Sequence, residues 1–408
     1  MNYIDLFAGA GGLSEGFIKA GFTPVAHVES DKAACYTLKT RLAYHYLCKT
    51  RKLKIYNSYL KGDINREQLY SYIPSHLFDA VINTPISADN NKSIFEKIDL
   101  LKGDNGIDLI IGGPPCQAYS NIGRAALKHK TSDPRKKLYV EYGKFLTRYK
   151  PKVFVFENVP GLKSSDNGMH YKDIKDYFRN VGYIVEDKLL NAFDFGVIQD
   201  RKRLIIIGWR EDLDFSYPKF KTICNTFRTS DLFIDLPPLK PGESQRTNTY
   251  KTNTTPFLSK TKIRCKKDIV LTQHITRPHN DKDLAIYKLA VEQYGKGILI
   301  KNNTIPDSLR TQNNTTDFLD RFKVVGDIPH TMIAHIAKDG HHFIYNSENQ
   351  TRSISVREAA RIQSFPDNYY FEGELEYGNR TAAFRQIGNA VPPLMAEKIA
   401  KTIKKNLL

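Results

Sequence analysis

Cys116 stands directly behind two prolines in Gly112-Gly113-Pro114-Pro115-Cys116-Gln117, after the apolar stretch Asp108 to Ile111. Most lone cysteines are inert buried hydrophobes. Here a rigid turn, polar followers and the start of a helix are the setting that lowers a thiol pKa and presents a nucleophile. Glu157, in Glu157-Asn158-Val159-Pro160, closes a second apolar stretch, Lys152 to Phe156. Taken alone it reads equally as a reactive carboxylate or as the cap of the next helix. Arg201 and Arg203, in Gln199-Asp200-Arg201-Lys202-Arg203, precede a third stretch, Arg203 to Gly208. Two residues apart on a strand edge, the guanidiniums point the same way; by themselves they also fit an ordinary solvated pair.

A fourth cluster suits a ligand. Phe7-Ala8-Gly9-Ala10-Gly11-Gly12 follows the strand-like Tyr3 to Phe7 and opens a helix, so backbone amides can approach a bound group at the strand's carboxyl end. Glu29 ends the next strand 20 residues after Gly9, where an acid takes ribose hydroxyls in such folds. Ser14 holds the position of the third glycine of the dinucleotide fingerprint, so a nucleotide-like cofactor without a pyrophosphate fits better than NAD. On its own the cluster is equally a tight strand-to-helix turn.

The elements that must position these groups alternate. Tyr3 to Phe7, Thr23 to Glu29, Asp108 to Ile111, Lys152 to Phe156 and Arg203 to Gly208 read as buried strands. Leu13 to Ala20, Asp31 to Leu42, Lys136 to Tyr149 and Tyr171 to Val181 have helical spacing between them. Alternation of this kind predicts βαβ units and an α/β fold, a doubly wound and mostly parallel sheet. Past Trp209 the texture turns to Asn, Thr and Pro, as in 247–256 and 312–316, which are good loop sequences. The expected division is a catalytic domain at 1–210, a smaller inserted domain at 211–347, and a segment at 348–408 that completes the catalytic domain. Ser355-Val356-Arg357-Glu358 is a capping box opening a helix that must end before Pro366. Arg357 and Arg361, one turn apart on that helix, fit phosphate contacts or structural ion pairs.

Composition bounds the partner. The 408 residues carry 61 Lys+Arg against 44 Asp+Glu, a formal charge of +17, which favours a polyanion, nucleic acid before membrane. The apolar runs are far too short to cross a bilayer, and the start shows no export signal. Five cysteines without a C-x-x-C pair argue against a zinc site or a disulfide framework and for a reducing compartment.

The order and spacing of the four clusters resembles the cytosine-5 DNA methyltransferases of bacterial restriction-modification systems. The resemblance extends to Asp133-Pro134-Arg135, to the run Arg352 to Pro366, and to Gln386-Ile387-Gly388-Asn389-Ala390-Val391-Pro392-Pro393. It spans residues 1 to about 210 and 350 to 400. It implies S-adenosylmethionine as cofactor and no metal. It places Phe7, Gly9, Gly12, Leu13, Glu29, Asn389 and Val391 around that cofactor, with Pro115 at its edge. The family's acid at the adenine amino group matches Asp63, although 53 residues separate it from Cys116; Asp104 is a competing match. The intervening Phe78 to Pro85 mimics a catalytic strand but lacks the second proline and the cysteine, and reads as part of an insertion.

By the same resemblance Cys116 is the covalent nucleophile, Glu157 the proton-sharing group, and Arg203 with Arg201 the clamp on the base and a flanking phosphate. The target cytosine must leave the stack to reach them. Arg124 would contact DNA from a mobile basic lid at 121–130, which reads otherwise as a solvated loop, and Ser120 would contact it from just ahead of that lid. Lys260, Lys262, Arg264 and Lys266 are basic at every second position, so in a strand they would share one face, tracking phosphates or simply solvated. Double-stranded DNA is the expected partner, and a cognate restriction endonuclease in the same system is allowed. A monomer in the bacterial cytoplasm, drawn to the nucleoid by DNA, is expected. Two alternatives stay open: the related tRNA cytosine-5 methyltransferases, and a catalytically silent DNA-binding regulator.

Overall fold

The computed structural model describes residues 1–115, 137–266, 269–310, 319–376 and 378–408. Cys116, Ser120 and Arg124, with the expected lid, lie outside the described residues. Among the described residues one sheet holds seven strands: β1 (Asn2–Leu6), β2 (Thr23–Glu29), β3 (Val81–Asn83), β4 (Leu109–Gly112), β5 (Val153–Asn158), β6 (Tyr183–Asn191) and β7 (Lys202–Arg210). Their spatial order is β3-β2-β1-β4-β5-β7-β6. β1 to β5 pair in parallel, whereas β7 runs antiparallel between β5 and β6. The order turns back between β1 and β4, and a crevice at such a switch point is where open α/β sheets bind ligands.

Strand alternation sorts the core into two layers. Ile4, Ile110, Phe154 and Ile206 face one side, with Tyr142, Phe145 and Phe178 of helices Leu138–Tyr149 and Met169–Asn180. Their chain neighbours Tyr3, Ile111, Val155 and Ile205 face the other, with Phe17 of helix Gly12–Lys19 and Met395, Ile399 and Ile403 of helix Pro393–Leu407. Each such side chain stabilises the fold by about 1.5–3 kcal/mol relative to exposure. Near-continuous apolar strands are what a sheet covered on both faces demands.

Two elements differ from the sequence reading. Val81–Asn83, expected within an insertion, is the edge strand β3, pairing Glu29 with Asn83; its three residues are too short for a pattern. β6 was not anticipated, because its sequence Tyr-Ile-Val-Glu-Asp-Lys-Leu-Leu-Asn mixes polar and apolar positions, as a half-exposed edge strand does. The rest of the insertion carries helices Arg66–Ser71 and Asn91–Lys102; Arg66–Ser71, with Leu53–Lys61 ahead of the insertion, packs on helix Lys32–Lys49.

The region after Trp209 has its own core, which the chain beyond 348 joins. Leu232, Phe257, Leu271 and Met332 pack with Val356, Phe365, Tyr369 and Phe384, and Ile344 bridges both Val324 and Ser353. The segment from 352 to 390 packs on this second core and also reaches the sheet domain, where Tyr369 meets Ala10 and Gln386 meets Thr37, and the closing helix Pro393–Leu407 returns to the sheet. Ser355 caps helix Val356–Ile362 by accepting from Glu358 N, and the Glu358 carboxylate accepts from Ser355 N. Arg357 and Arg361 are fully buried. Arg361 forks onto Asp367 and Asp235, and Arg357 donates to the carbonyls of Thr272 and Tyr369. Both are structural braces.

Candidate active site

The glycine loop leaves β1 through three left-handed conformers, Phe7 (φ 56°), Gly9 (φ 55°) and Gly11 (φ 79°). A non-glycine residue held there is strained, and such strain collects at ligand sites. The Glu29 carboxylate, at the end of β2, accepts from Gly9 N at 2.7 Å and from Ser30 N and Asp31 N at 2.8 Å. A Cβ on Gly12 would lie 2.4 Å from Val391 O, so only glycine lets the C-terminal turn close onto the loop. Leu13 and Val391 are buried beside it, while Asn389, at the end of helix Arg380–Asn389, stays exposed. An acidic side chain at a strand end, an apolar wall and a glycine loop that turns sharply beside them suit a nucleoside carrying ribose hydroxyls.

One strand over, β4 ends in the turn Gly113-Pro114-Pro115. A Cβ on Gly113 would fall 2.6 Å from Glu157 Oε2, which places the carboxylate at the end of β5 against the turn that leads into Cys116. Asn158, buried, holds that turn by donating from Nδ2 to Pro114 O at 3.4 Å. Pro115 is exposed. Arg203 Nε meets Glu157 Oε1 at 2.8 Å, with both side chains largely covered. The glycine loop, the Pro-Pro turn and the Glu157–Arg203 pair thus share one edge of the sheet and flank its switch point. A carboxyl group beside a guanidinium, next to a nucleophile's turn, can share a proton with a ring nitrogen and hold an adjacent carbonyl.

Arg201 does not join them. It is fully buried and donates to the carbonyls of Met332 (2.5 Å), Ala390 (2.8 Å) and Gly388 (3.3 Å). The i, i+2 argument fails because Arg201 precedes β7, where the strand's pleat does not yet apply. Gln199 and Gln363 complete this brace: Gln199 donates to Ile362 O and Gln363 to Ile387 O. Asn158, Gln199 and Gln363 were missed as site supports; polar residues at the ends of apolar runs were the available signal.

Neither candidate for the adenine acid stands beside Glu29 in the sheet. Asp63 lies in an exposed turn between helices Leu53–Lys61 and Arg66–Ser71. Asp104 lies in the turn into the amino end of β4, whose Gly106 O accepts from Asn2 Nδ2 at the start of β1; that is the sheet edge opposite the glycine loop. The polar residue that the sheet places beside Glu29 is Asn83, whose Nδ2 donates to the Glu29 and Ser30 carbonyls.

The basic run at 260–266 is not a strand. Helix Pro256–Lys260, capped by Thr255, ends there, and Lys262 turns the chain with φ 57°. Ile263 is buried, and Arg264 is paired with Asp235 at 2.5 Å under the Tyr250 ring. Lys262 lies within electrostatic range of Lys19 and Lys260 within range of Lys398. Lys19 closes the first helix at the edge away from the glycine loop. His341 is buried, its Nδ1 meeting the Tyr287 hydroxyl at 2.9 Å. Among the described residues no helix is long and apolar enough to cross a membrane.

Comparison with known proteins agrees with this geometry. The sequence model of the C-5 cytosine-specific DNA methylases matches residues 1–65 and 56–405. The Type II methyltransferase M.Bpa9945I of Bacillus paralicheniformis is 42% identical over 443 residues, covering 99% of this chain and 98% of that protein. The Type II methyltransferase M1.HphI of Haemophilus parahaemolyticus is 30% identical, covering 99% and 87%. Among solved structures, an E. coli prophage-encoded protein superposes with TM-score 0.65 at 22% identity, covering 100% of this chain and 99% of that one. The Entamoeba histolytica methyltransferase EhMeth gives 0.57 at 15%, covering 100% and 99%; both share the fold. A family match that runs from the first strand into the last helix, with full-length relatives at this identity, makes the chain a member of the C-5 cytosine-specific DNA methylase family and a DNA (cytosine-5-)-methyltransferase.

Proposed function

We propose that this chain methylates carbon 5 of one cytosine within a specific double-stranded DNA sequence, as the modification enzyme of a restriction-modification system. S-adenosylmethionine is the donor and Cys116 the covalent nucleophile. The observation that carries the reading is the Glu157–Arg203 pair, held against the turn into Cys116 at the switch point of the sheet.

Carbon 5 of cytosine is too weak a nucleophile to react unaided. The Cys116 thiolate adds to carbon 6 of the flipped base, and the electron pair of the 5,6 double bond moves into the ring. Glu157 shares its proton at N3 and neutralises the charge that would collect there. Arg203, fixed by Glu157, donates to the base carbonyl. When bound, S-adenosylmethionine supplies an electrophilic methyl group for carbon 5. Phe7, Gly9, Gly12, Leu13, Glu29, Asn389 and Val391 are the residues that would hold it. A base then removes the carbon 5 proton, the carbon–sulfur bond breaks, and the Cys116 thiolate is regenerated. Arg201 acts only indirectly in this scheme, by bracing the backbone around Asn389. The enzyme works as a monomer on DNA in the cytoplasm, with an endonuclease of the same target as its companion.

Bisulfite sequencing of a plasmid carried with the gene should show one methylated sequence context and so supply the target. DNA with 5-fluorocytosine at that position should trap the wild type covalently, because fluorine blocks the last proton removal. Cys116→Ser should bind S-adenosylmethionine yet form no adduct; undiminished trapping by that variant would remove Cys116 from the mechanism.

A further inference from the structure

The underside of the glycine loop is held by a side chain from the far end of the sequence. The Tyr369 hydroxyl donates to the Ala10 carbonyl across 359 positions. Ala10 lies between Gly9 and Gly11, both with positive φ. A Cβ on Gly11 would come within 3.0 Å of the Tyr369 hydroxyl and 2.8 Å of Leu38 Cδ2, so the approach needs a residue without a side chain there.

Tyr369 is itself fixed from two directions. Its ring packs on Phe365 and Phe371 with centroids 4.8 and 5.3 Å apart. The Arg41 guanidinium lies 4.6 Å over its ring and 4.0 Å over Tyr44. Arg41 in turn forks onto Glu15, with Nε to Oε2 at 2.8 Å and Nη2 to Oε1 at 2.6 Å, and donates to Asn368 Oδ1 at 2.8 Å. Glu15 stands in the first turn of the helix that the glycine loop opens. The contacts close a circuit: loop, Glu15, Arg41, Tyr369 and back to the loop. Glu15, Arg41 and Tyr369 are 1%, 6% and 1% exposed, so none of them is open to a ligand in the cleft.

We propose that Tyr369 is a positioning residue for the cofactor loop, fixing the Ala10 peptide and with it the directions of the neighbouring amides, while the Glu15–Arg41 pair fixes the Tyr369 ring. The inference rests on reading that loop as the S-adenosylmethionine site. A loop with three left-handed residues has conformations to lose on binding. A hydroxyl that orders it beforehand lowers the entropy given up when the cofactor arrives. The effect belongs to cofactor affinity and not to the chemical step, because the circuit does not reach Glu157 or Arg203.

The test compares full-length wild type, Tyr369→Phe and Tyr56→Phe by calorimetric titration with S-adenosylmethionine. Tyr56 is the control: equally buried, its hydroxyl donates to Asn368 O at 2.8 Å in the same cluster without touching the loop. Tyr369→Phe should weaken binding about 3- to 10-fold, the scale of one buried hydrogen bond. It should raise the KM for S-adenosylmethionine in step and leave kcat at saturation unchanged. Amide exchange across residues 8–13 should accelerate. Tyr56→Phe should bind within about twofold of wild type. Equal affinity in wild type and Tyr369→Phe, or the same loss in both variants, would overturn the inference. Wild type that binds no S-adenosylmethionine would instead overturn the reading of the site on which it rests.

Discussion

Replacing Arg201 by Met separates a clamp on the substrate from a brace inside the protein. The structure gives Arg201 three backbone carbonyls, those of Met332, Gly388 and Ala390, at 2.5, 3.3 and 2.8 Å, and no exposure. Methionine fills much of the same volume but leaves those acceptors dry. A hydrogen bond to a charged group contributes about 1.5–3 kcal/mol, and a stranded buried acceptor costs about 1–3 kcal/mol. Relief from burying a guanidinium offsets several kcal/mol of that sum. The net expectation is a loss of about 2–4 kcal/mol of stability. Because Gly388 and Ala390 flank Asn389, S-adenosylmethionine binding should weaken with it. Arg203→Met removes a guanidinium from the cleft and leaves its largely covered partner Glu157 without it; stability should fall by about 1–3 kcal/mol, S-adenosylmethionine affinity should hold and turnover should collapse. Urea unfolding followed by circular dichroism, with single-turnover methylation on the same preparations, reads both. Arg201→Met as stable as wild type, with full cofactor affinity and no turnover, would refute the brace and return Arg201 to the base.

Two further outcomes follow from buried and exposed charges. Lys260→Gln with Lys262→Gln should leave the slope of log K against log salt unchanged, since a helix end and a left-handed turn replace the strand face that would have aligned the basic side chains; a decrease of about 1.8, two phosphate contacts, would put the segment on DNA after all. Burial pushes the Glu372 carboxyl up to about 7, against the Tyr59 and Thr40 hydroxyls that donate to it. A raised acid keeps its proton in the fold after the unfolded chain has lost it, so its contribution to stability is full below about pH 4.5 and declines until about pH 7. Glu372→Gln should gain about 3 kcal/mol or slightly more relative to wild type between pH 4.5 and pH 8 in urea unfolding, and parallel pH profiles would exclude it.

Much of the catalytic half was legible because its physics is local. β1, β2, β4, β5 and β7 are buried on both faces, and such strands must read as short apolar runs between helices. The capping box at Ser355 and Glu358 was equally local. β6 was not legible, because an edge strand with exposed Ile184 and Leu189 carries no clean alternation. The alternating basic residues at 260–266 misled for the opposite reason. A period of two implies a strand only if the chain is extended there, and Thr255-Pro256 had already started a helix through the Thr255 cap. Asp63 was chosen by its Gly-Asp-Ile context, which says nothing of where a helical insertion sits relative to the sheet edge.

The arginine pair shows how far order along the chain can go. Glu157 stands at the end of a strand, the Pro-Pro turn and the glycine loop each follow one, and Arg203 stands at the start of another. In a wholly parallel sheet a residue that precedes a strand lies at the amino edge, remote from groups that follow strands. Arg203 can meet Glu157 only if its strand is reversed. β7 is that strand: it pairs antiparallel with β5, setting Asn158 opposite Leu204 and Glu157 opposite Ile205. The contact between the two side chains therefore depends on the one reversed strand among those described in the sheet. The same reversal brings the chain before β7 close to the second core, where Asp200 bridges His330 and Arg201 reaches Met332. One reversed strand places one arginine beside the carboxylate and its near neighbour inside the protein.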